Sequence, residues 1–449
     1  MNHAFDLVVV GSGGGGSAVA YQCRAAGWRV AVVDALPFGG TCALRGCDPK
    51  KVLVGAADLV DWARRMADKG IVDAPRLDWP ALMHFKRGFT DPVPERRERA
   101  LREAGIDVFH GRARFVAPDA VTVNQDKLTA GHFLLANGAR PAPLGIAGEE
   151  HLIYSDRFLE LDTLPGRVVF VGGGYISFEF AHVAARAGAR VRVVHRGARA
   201  LAGFDPDLVK LLMEKTRDVG IEVNLETALT GIERTPDGLA IHVRRKGREE
   251  RHLTDLVIHG AGRVPDLQDM DLDRGDVLHD KGGVTVNEYL QSVSNPRVYA
   301  AGDAAATEGL PLTPVAGLES RVAAANLLRG NHARADYRGV PTVVYTVPPL
   351  AAVGLDEDSA QRRGVEFETR HEATGGWYSS RRVAESHSAF KVLVEKGTGK
   401  ILGAHLLGPG AEETINLFAL AIRHGLTAAD LKNTVYAYPT HASDIGYMI

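Results

Sequence analysis

The sequence predicts an α/β protein made of two strand–glycine loop–helix–strand units followed by an α+β segment, and three observations carry that prediction. Two stretches, beginning near Asp6 and near Val168, run from a β-branched apolar strand into clustered glycines and then a helix. From about Asp336 the pattern changes to strands and helices without such a glycine loop. At 449 residues the chain exceeds one ordinary core, so several domains are expected.

Asp6-Leu7-Val8-Val9-Val10 reads as a buried parallel strand, because its apolar run does not alternate. Gly11, Gly13 and Gly16 follow. The first allows a tight turn, the second lets backbone approach a pyrophosphate, and the third lets a helix from Ser17 to about Ala26 pack on the strand. A second strand from Arg29 to Val33 ends at Asp34, placed to accept hydrogen bonds from a ribose hydroxyl. Together these form a Rossmann-like dinucleotide fingerprint, with the pyrophosphate at the helix N-terminus. Cys23, inside the helix, reads as small apolar packing.

The next stretch runs from Gly39 to Lys51 and holds Cys42 and Cys47, separated by four residues. Two such cysteines can close a disulfide if one helical turn brings their β-carbons within about 4 Å. Pro49 suits the first turn of a helix running on through Val52-Leu53-Val54, and a helix N-terminus favours a thiolate at Cys47. On cysteine spacing alone, a redox pair and two inert buried thiols both stand. A zinc site is disfavoured, since no further Cys or His lies within ligand spacing.

The segment G-G-T-C-x-x-x-G-C-x-P-x-K as a whole resembles the active-site segment of the flavin-dependent pyridine nucleotide-disulfide oxidoreductases, the family of glutathione reductase, dihydrolipoamide dehydrogenase and mercuric reductase. The resemblance implies FAD on the first glycine unit, contacted also by Gly40 and Thr41. It implies that Cys42 is the interchange thiol that meets the substrate, and Cys47 the charge-transfer thiol beside the flavin. It puts Lys51 next to the flavin ring. Asp48 departs from the family, which has an apolar or neutral residue there. A carboxylate so close to Cys47 raises that thiol's pKa unless Lys50 or Lys51 offsets it.

From Asp58 to Arg102, charge and helical spacing predict two surface helices whose Arg and Lys form a solvated face. His110-Gly111-Arg112-Ala113 and Ala120-Val121-Thr122-Val123 read as short antiparallel strands. Phe133 to Pro141 resembles the family's A-T-G-x-x-P exit from the first nucleotide domain, with Asn137 in place of Thr. By that resemblance Gly138 is an FAD contact.

The second unit comprises strand Val168 to Val171, Gly172, Gly174, a helix to Ala187 and strand Arg190 to Val194, with Ser177 where the third glycine would stand. After this strand comes His195-Arg196, with Arg199 following, where an NAD site would present a carboxylate. A missing acid and nearby guanidinium fit the 2′-phosphate of NADPH, with NADH the alternative and plain exposure of both arginines the other reading. The family's second phosphate-binding position holds Ala202, which leaves Arg199 to substitute. The resemblance makes Tyr175 the gate over the flavin and Glu179 the carboxylate pairing Lys51; a core aromatic and an ordinary helix acid are the alternatives. Ile258 to Pro265 resembles the G-R-x-P turn, which places Gly262 among the NADPH contacts. Val298 to Ala304 brings in Asp303 as a contact to the FAD ribityl and phosphate region, and the helix from Leu312 carries Ala316 beneath the flavin.

Val343 to Gly354 resembles the start of the family's dimerisation domain, so a homodimer is implied. Disulfide-reducing members supply His-Pro-Thr-x-x-Glu across that dimer, the histidine protonating the departing thiolate. Here the segment is Tyr438-Pro439-Thr440-His441-Ala442-Ser443. Tyr438 can act as a weak acid, its reference pKa of about 10 being poorly matched to neutral pH. His441 and Asp444, on one face of a helix, can form a shifted acid/base pair. The acceptor can need no protonated leaving thiol, as with a metal ion, quinone or polysulfide, or His441 can be a surface or interface histidine. A mercuric reductase is disfavoured, because no cysteine follows Cys47, and the missing histidine argues against an efficient glutathione reductase or dihydrolipoamide dehydrogenase.

The hydrophobic fraction of 45% and charged fraction of 24% are those of a globular protein, and a net charge of −2 predicts no pull toward nucleic acid or membrane. Three cysteines exclude a disulfide framework and suit the cytoplasm. The N-terminus enters a strand with no basic apolar leader, and no apolar run reaches membrane-spanning length. The expected organisation is an FAD-binding domain over 1–148, an NAD(P)H-binding domain over 149–270, a return to the FAD domain over 271–335 and a dimerisation domain over 336–449. The expected activity is electron transfer from NADPH through FAD to Cys42-Cys47 and on to a small disulfide or oxidised-sulfur acceptor. Reduction of a metal ion or quinone, and a redox-sensing flavoprotein with little turnover, are the alternatives.

Overall fold

The structure, a computed structural model, describes residues 1–73 and 75–449. It comprises two compact units, one formed by 1–49, 85–142 and 262–337, the other by 50–84, 143–261 and 338–449.

In the first unit, strand Asn2–Val10 lies between Val30–Asp34 and Asp126–Leu135, all parallel, and Asp107–His110 extends the sheet beyond Val30–Asp34. Val298–Ala300 joins parallel to the end of Asp126–Leu135, whose beginning pairs antiparallel with Ala120–Val123. Both faces are covered, which is why Leu7 to Val10 is unbroken apolar sequence. Successive side chains point to opposite faces. Leu7, Val9, Val30 and Val32 pack with Cys23 of helix Gly14–Ala25 and Val322 of helix Thr313–Arg329. Val8, Val10, Ala31 and Val33 pack with Phe115 and Phe133. The first strand begins at Asn2 rather than Asp6, because Asn2 to Phe5 pair with Lys127 to Ala130. His110 to Ala113 is not one strand. Asp107–His110 ends there, Gly111 turns with φ of 145°, and Ala113–Ala117 pairs antiparallel with Ala120–Val123.

In the second unit, Glu222–Asn224, Arg190–Val194, Arg167–Val171 and Leu256–His259 form a parallel sheet in that order. Helix Tyr175–Arg186 is buried along most of its length, and its Phe178 and Ala181 share a core with Leu53 and Ala57 of helix Cys47–Arg65. The C-terminal part is a five-stranded antiparallel sheet in the order Thr342–Val344, Leu350–Gly354, Ile401–Leu407, Ala389–Glu395, Phe367–Ala373, with helix Ala411–His424 against it. Among the described residues no helix is long and apolar enough to cross a membrane.

The stretch expected to hold two surface helices contains three: the end of Cys47–Arg65, then Trp79–Thr90 and Val93–Glu103. Its cations are not all solvated either. Lys86 is fully buried, and Arg65 takes part in an ionic cluster built on Asp61. Asp61 accepts from Arg186 at 2.7 Å, from Arg65 at 2.7 Å and from Lys215 at 3.4 Å, while Glu385 takes Lys215 at 3.2 Å. Burial would push the Asp61 carboxyl up, but Arg186, Lys215 and Arg65 together hold it below the usual range. Periodicity could not reveal this cluster, because its members come from four distant segments.

Removing one partner of such a cluster strands a buried charge. Arg186→Met is therefore expected to destabilise the protein by about 3–5 kcal/mol, read as a lower urea midpoint; an unchanged midpoint would contradict the role. Cys23 is fully buried, and burial pushes its thiol up to about 12. Native reduced protein should accordingly show two alkylatable thiols at neutral pH and a third only after denaturation.

Candidate active site

Strand Val30–Asp34 delivers the chain to Gly39 and Gly40, with φ of 133° and 76°. A Cβ on Gly40 would lie 2.4 Å from the Gly13 Cα, so only glycine lets this turn abut the first glycine loop. Helix Gly40–Arg45 then carries Cys42, Gly46 breaks it, and helix Cys47–Arg65 starts on Cys47 itself. The two cysteines are thiols, Cys42 partly covered and Cys47 exposed. They stand within side-chain hydrogen-bond reach of one another. Thr313 Oγ1, at the start of helix Thr313–Arg329, lies 3.4 Å from Cys47 Sγ. Cys42 Sγ donates to Asp48 Oδ1 at 3.8 Å. The hydrogen bond with Cys47 and then burial push the Cys42 thiol up, with smaller upward contributions from the charges of Cys47 and Asp48, while Thr313 acts in the opposite direction. These influences draw Cys42 toward its protonated form, and Cys47 occupies the helix N-terminus, a position that favours a thiolate.

Glu179 is 2% exposed and pairs with Lys50 at 2.8 Å, not with Lys51 as expected. Lys51 turns to Glu412 at 3.6 Å and covers the Tyr345 ring at 4.1 Å. One residue on a helix is a rotation of about 100°, so the two lysines reach different carboxylates, although both ammonium groups lie over the Tyr345 ring, at 4.6 and 4.1 Å. Lys50 is the residue that sequence reasoning missed. Its position three after Cys47, one turn along the same helix face, was the available signal.

The expected FAD residues Gly11, Gly13, Gly16, Asp34, Gly40, Thr41, Gly138, Asp303 and Ala316 all fall in the first unit. A Cβ on Gly11 would lie 2.3 Å from the Ala136 carbonyl oxygen, and one on Gly16 would lie 2.0 Å from that of Gly11. Ala316 adjoins both Gly15 and Gly302. Asp34 accepts from Ser12 N at 2.8 Å, Ser12 Oγ at 2.6 Å and Leu36 N at 2.9 Å, which orients the carboxylate and leaves acceptor capacity. Asp303 follows strand Val298–Ala300, and burial pushes its carboxyl up while Arg263 opposes this. Open space at the Cβ positions of Gly14 and Gly138, with a half-buried Asp303 carboxylate held by a backbone hydrogen bond, fits a bound dinucleotide.

In the second unit, a Cβ on Gly172 would lie 2.2 Å from the Gly260 carbonyl oxygen, and Gly174 precedes helix Tyr175–Arg186. Ser177 fills the third-glycine position because the facing residue is Gly260, where any Cβ would meet Ser177 Oγ at 2.2 Å. Tyr175 is 40% exposed at the first helical residue. Arg196 and Arg199 are both exposed, Arg199 donating to the Ala202 carbonyl at 2.6 Å, and His195 Nε2 lies 3.2 Å from the Arg199 carbonyl oxygen. Gly262 belongs to the first unit, with φ of 118°.

Near the C-terminus, Tyr438 is 80% exposed and lines a cavity of about 450 Å³ with Trp377, Tyr378, Tyr447 and Asp444. His441 faces a separate, smaller cavity that Asp444 also borders. His441–Asp444 is a 3₁₀ turn rather than α-helix. The two side chains attract one another electrostatically but form no ion pair, and Asp444 is hydrogen-bonded to Ser379. Burial and then Arg382 push His441 down, so it is neutral at neutral pH.

This architecture has known counterparts. The family profile described as Pyridine nucleotide-disulphide oxidoreductase matches residues 5–320, and that family's dimerisation domain matches 340–449. The chain is 32% identical over 442 residues to a glutathione reductase of Burkholderia cepacia, covering 98% of this chain and 97% of that one. It is 29% identical over 449 residues to a mercuric reductase of Bacillus cereus, covering 99% of this chain and 71% of that one. The solved Cu(II) complex of the HOCl-induced flavoprotein disulfide reductase RclA from Escherichia coli superposes with a TM-score of 0.89 at 24% identity, covering 100% of this chain and 99% of that one, a likeness of fold. The chain thus belongs to the pyridine nucleotide-disulphide oxidoreductase family, FAD-dependent enzymes that use a pyridine nucleotide and act on sulfur groups.

Proposed function

We propose that this protein is a homodimeric NADPH-dependent reductase that passes electrons to the Cys42-Cys47 pair and on to a small disulfide or other oxidised-sulfur acceptor. The observation that carries this reading is the pair itself, two accessible thiols within hydrogen-bond reach on consecutive helices. Bound FAD would supply the two-electron relay between nicotinamide and dithiol. Gly11, Gly13, Gly16, Asp34, Gly40, Thr41, Gly138, Asp303 and Ala316 would hold it. Gly172, Gly174, Tyr175 and Gly262 would receive NADPH, with Arg196 and Arg199 at its 2′-phosphate. Lys50, fixed by Glu179, takes the role first given to Lys51. Cys42 attacks the acceptor sulfur, and Cys47 then closes the intramolecular disulfide. His441, its affinity for a proton lowered by burial and Arg382, can accept a proton at neutral pH but is poorly suited to donate one.

A second reading, reduction of a quinone, rests on the aromatic lining of the cavity of about 450 Å³, a size ordinary for small-molecule sites. FAD-loaded protein reduced anaerobically with NADPH is expected to gain two alkylatable thiols, mapped by mass to Cys42 and Cys47. Cys42→Ser should lose all disulfide turnover, and a variant that keeps it refutes the first reading. Quinone reduction surviving in that variant would support the second. Arg196→Ala is expected to raise KM for NADPH about tenfold or more relative to NADH, the effect of losing one charge-assisted contact of about 1.5–3 kcal/mol. Equal effects on both nucleotides would remove the basis for NADPH preference.

A further inference from the structure

The acceptor chemistry leaves a proton to be accounted for. Reducing an unactivated disulfide expels a thiolate that must be protonated, and the segment that would supply a histidine has Tyr438 instead. Another acid–base group stands at the dithiol. Asp48 Oδ1 accepts a hydrogen bond from Cys42 Sγ at 3.8 Å, and its carboxylate is exposed to water. The two lysines next in sequence do not neutralise it: Lys50 is held by Glu179 at 2.8 Å and Lys51 lies 3.6 Å from Glu412. The Thr313 hydroxyl, also at the pair, carries no charge.

We propose that Asp48 is a catalytic residue that carries the proton of the dithiol reaction, taking it from Cys42 and delivering it to the leaving sulfur. This rests on the reading of Cys42-Cys47 as the disulfide-reducing centre. As the Cys42 sulfur bonds to one acceptor sulfur, its proton passes along the existing hydrogen bond to the carboxylate. The acceptor S–S bond breaks, the outgoing sulfur keeps the electron pair, and Asp48 returns the proton to release a free thiol. Cys47 then attacks Cys42 in the mixed disulfide, forming the Cys42-Cys47 bond, and the second leaving sulfur takes a proton from the water to which this site is exposed. The dithiol is oxidised by two electrons and the acceptor is reduced by two. A carboxylate is a weak base toward a resting thiol. The sulfur's hold on its proton collapses as the new bond forms, however, and the resulting carboxyl is a strong acid toward a thiolate.

The competing role for Asp48 is structural, since an acid in the first turn of helix Cys47–Arg65 favours the helix by itself. Leaving-group dependence separates the two. Full-length, FAD-loaded wild type, Asp48→Asn and Asp48→Glu are assayed with NADPH on 2-hydroxyethyl disulfide, whose thiolate needs a proton, and on 5,5′-dithiobis(2-nitrobenzoate), whose nitrothiobenzoate departs as a stable anion. Asp48→Asn is expected to lose on the order of a hundredfold in kcat/KM on the first acceptor. Its loss on the second should be at least tenfold smaller, and Asp48→Glu should recover most of the first. In dithiothreitol-reduced protein, Asp48→Asn should alkylate faster at Cys42, because removing the nearby charge eases thiolate formation. Equal losses on both acceptors, wild-type turnover, or turnover that rises along with alkylation would each overturn the proposal. Wild type that reduces neither acceptor would instead sink the disulfide-reductase reading on which it rests.

Discussion

A carboxylate almost without access to water has to be paired, and Glu179 is paired twice, with the Lys50 ammonium at 2.8 Å and the Tyr345 backbone N–H at 2.9 Å. That one group ties three separate segments of the second unit together. Lys50 belongs to helix Cys47–Arg65, Glu179 to helix Tyr175–Arg186, and Tyr345 follows strand Thr342–Val344. If Glu179 were lost, the Lys50 charge would be left in a largely enclosed place, and the first full turn after Cys47 would lose its fixed partner. The orientation of the thiol-bearing helix therefore depends on a buried ion pair rather than on helix propensity.

The same two helices meet again at Asp61 and Arg186, where a carboxylate is surrounded by cations from three segments. Two ionic contacts along one helix pair set both its rotation and its axial register, which apolar packing between small residues such as Ala57 and Ala181 would leave less defined. Buried ion pairs are weak evidence for stability but strong determinants of geometry once their partners are in place. Tyr175 and Glu179 lie on the first two turns of the helix that carries Arg186, so the N-terminal end of that helix is referenced to the same buried charges.

Around the sulfurs the balance is different, because the groups there are exposed and interact locally. Cys42 receives upward pressure on its pKa from Cys47, from burial and from Asp48, whereas Cys47 gains the field of a helix N-terminus. The two thiols of one motif thus stand in different surroundings, and the thiolate character of each governs its part in thiol–disulfide exchange. The aromatic walls formed by Trp377, Tyr378, Tyr438 and Tyr447 are a separate feature of the C-terminal part, and they bear on the size and character of what can approach it.

Much of this protein could be read before any fold was known. The strands at Val8 and Val169, the turns at Gly11 and Gly172 and the start of a helix at Cys47 follow from local rules: apolar runs, positive φ and the geometry of the first helical turn. The departures at Asp48, Ser177, His195 and Tyr438 were equally visible, as single residues in otherwise regular patterns. What the chain could not disclose by itself is which charges meet. Lys50 and Lys51 are adjacent in sequence and alike in chemistry, and only the rotation of the packed helix assigns one to Glu179 and turns the other to Glu412. The burial of Lys86 and Arg186, the cluster on Asp61 and the separation of His441 from Tyr438 into different cavities were likewise decided by tertiary structure. Local sequence determines backbone conformation over a few residues, whereas the partner of a side chain depends on segments far away in the chain.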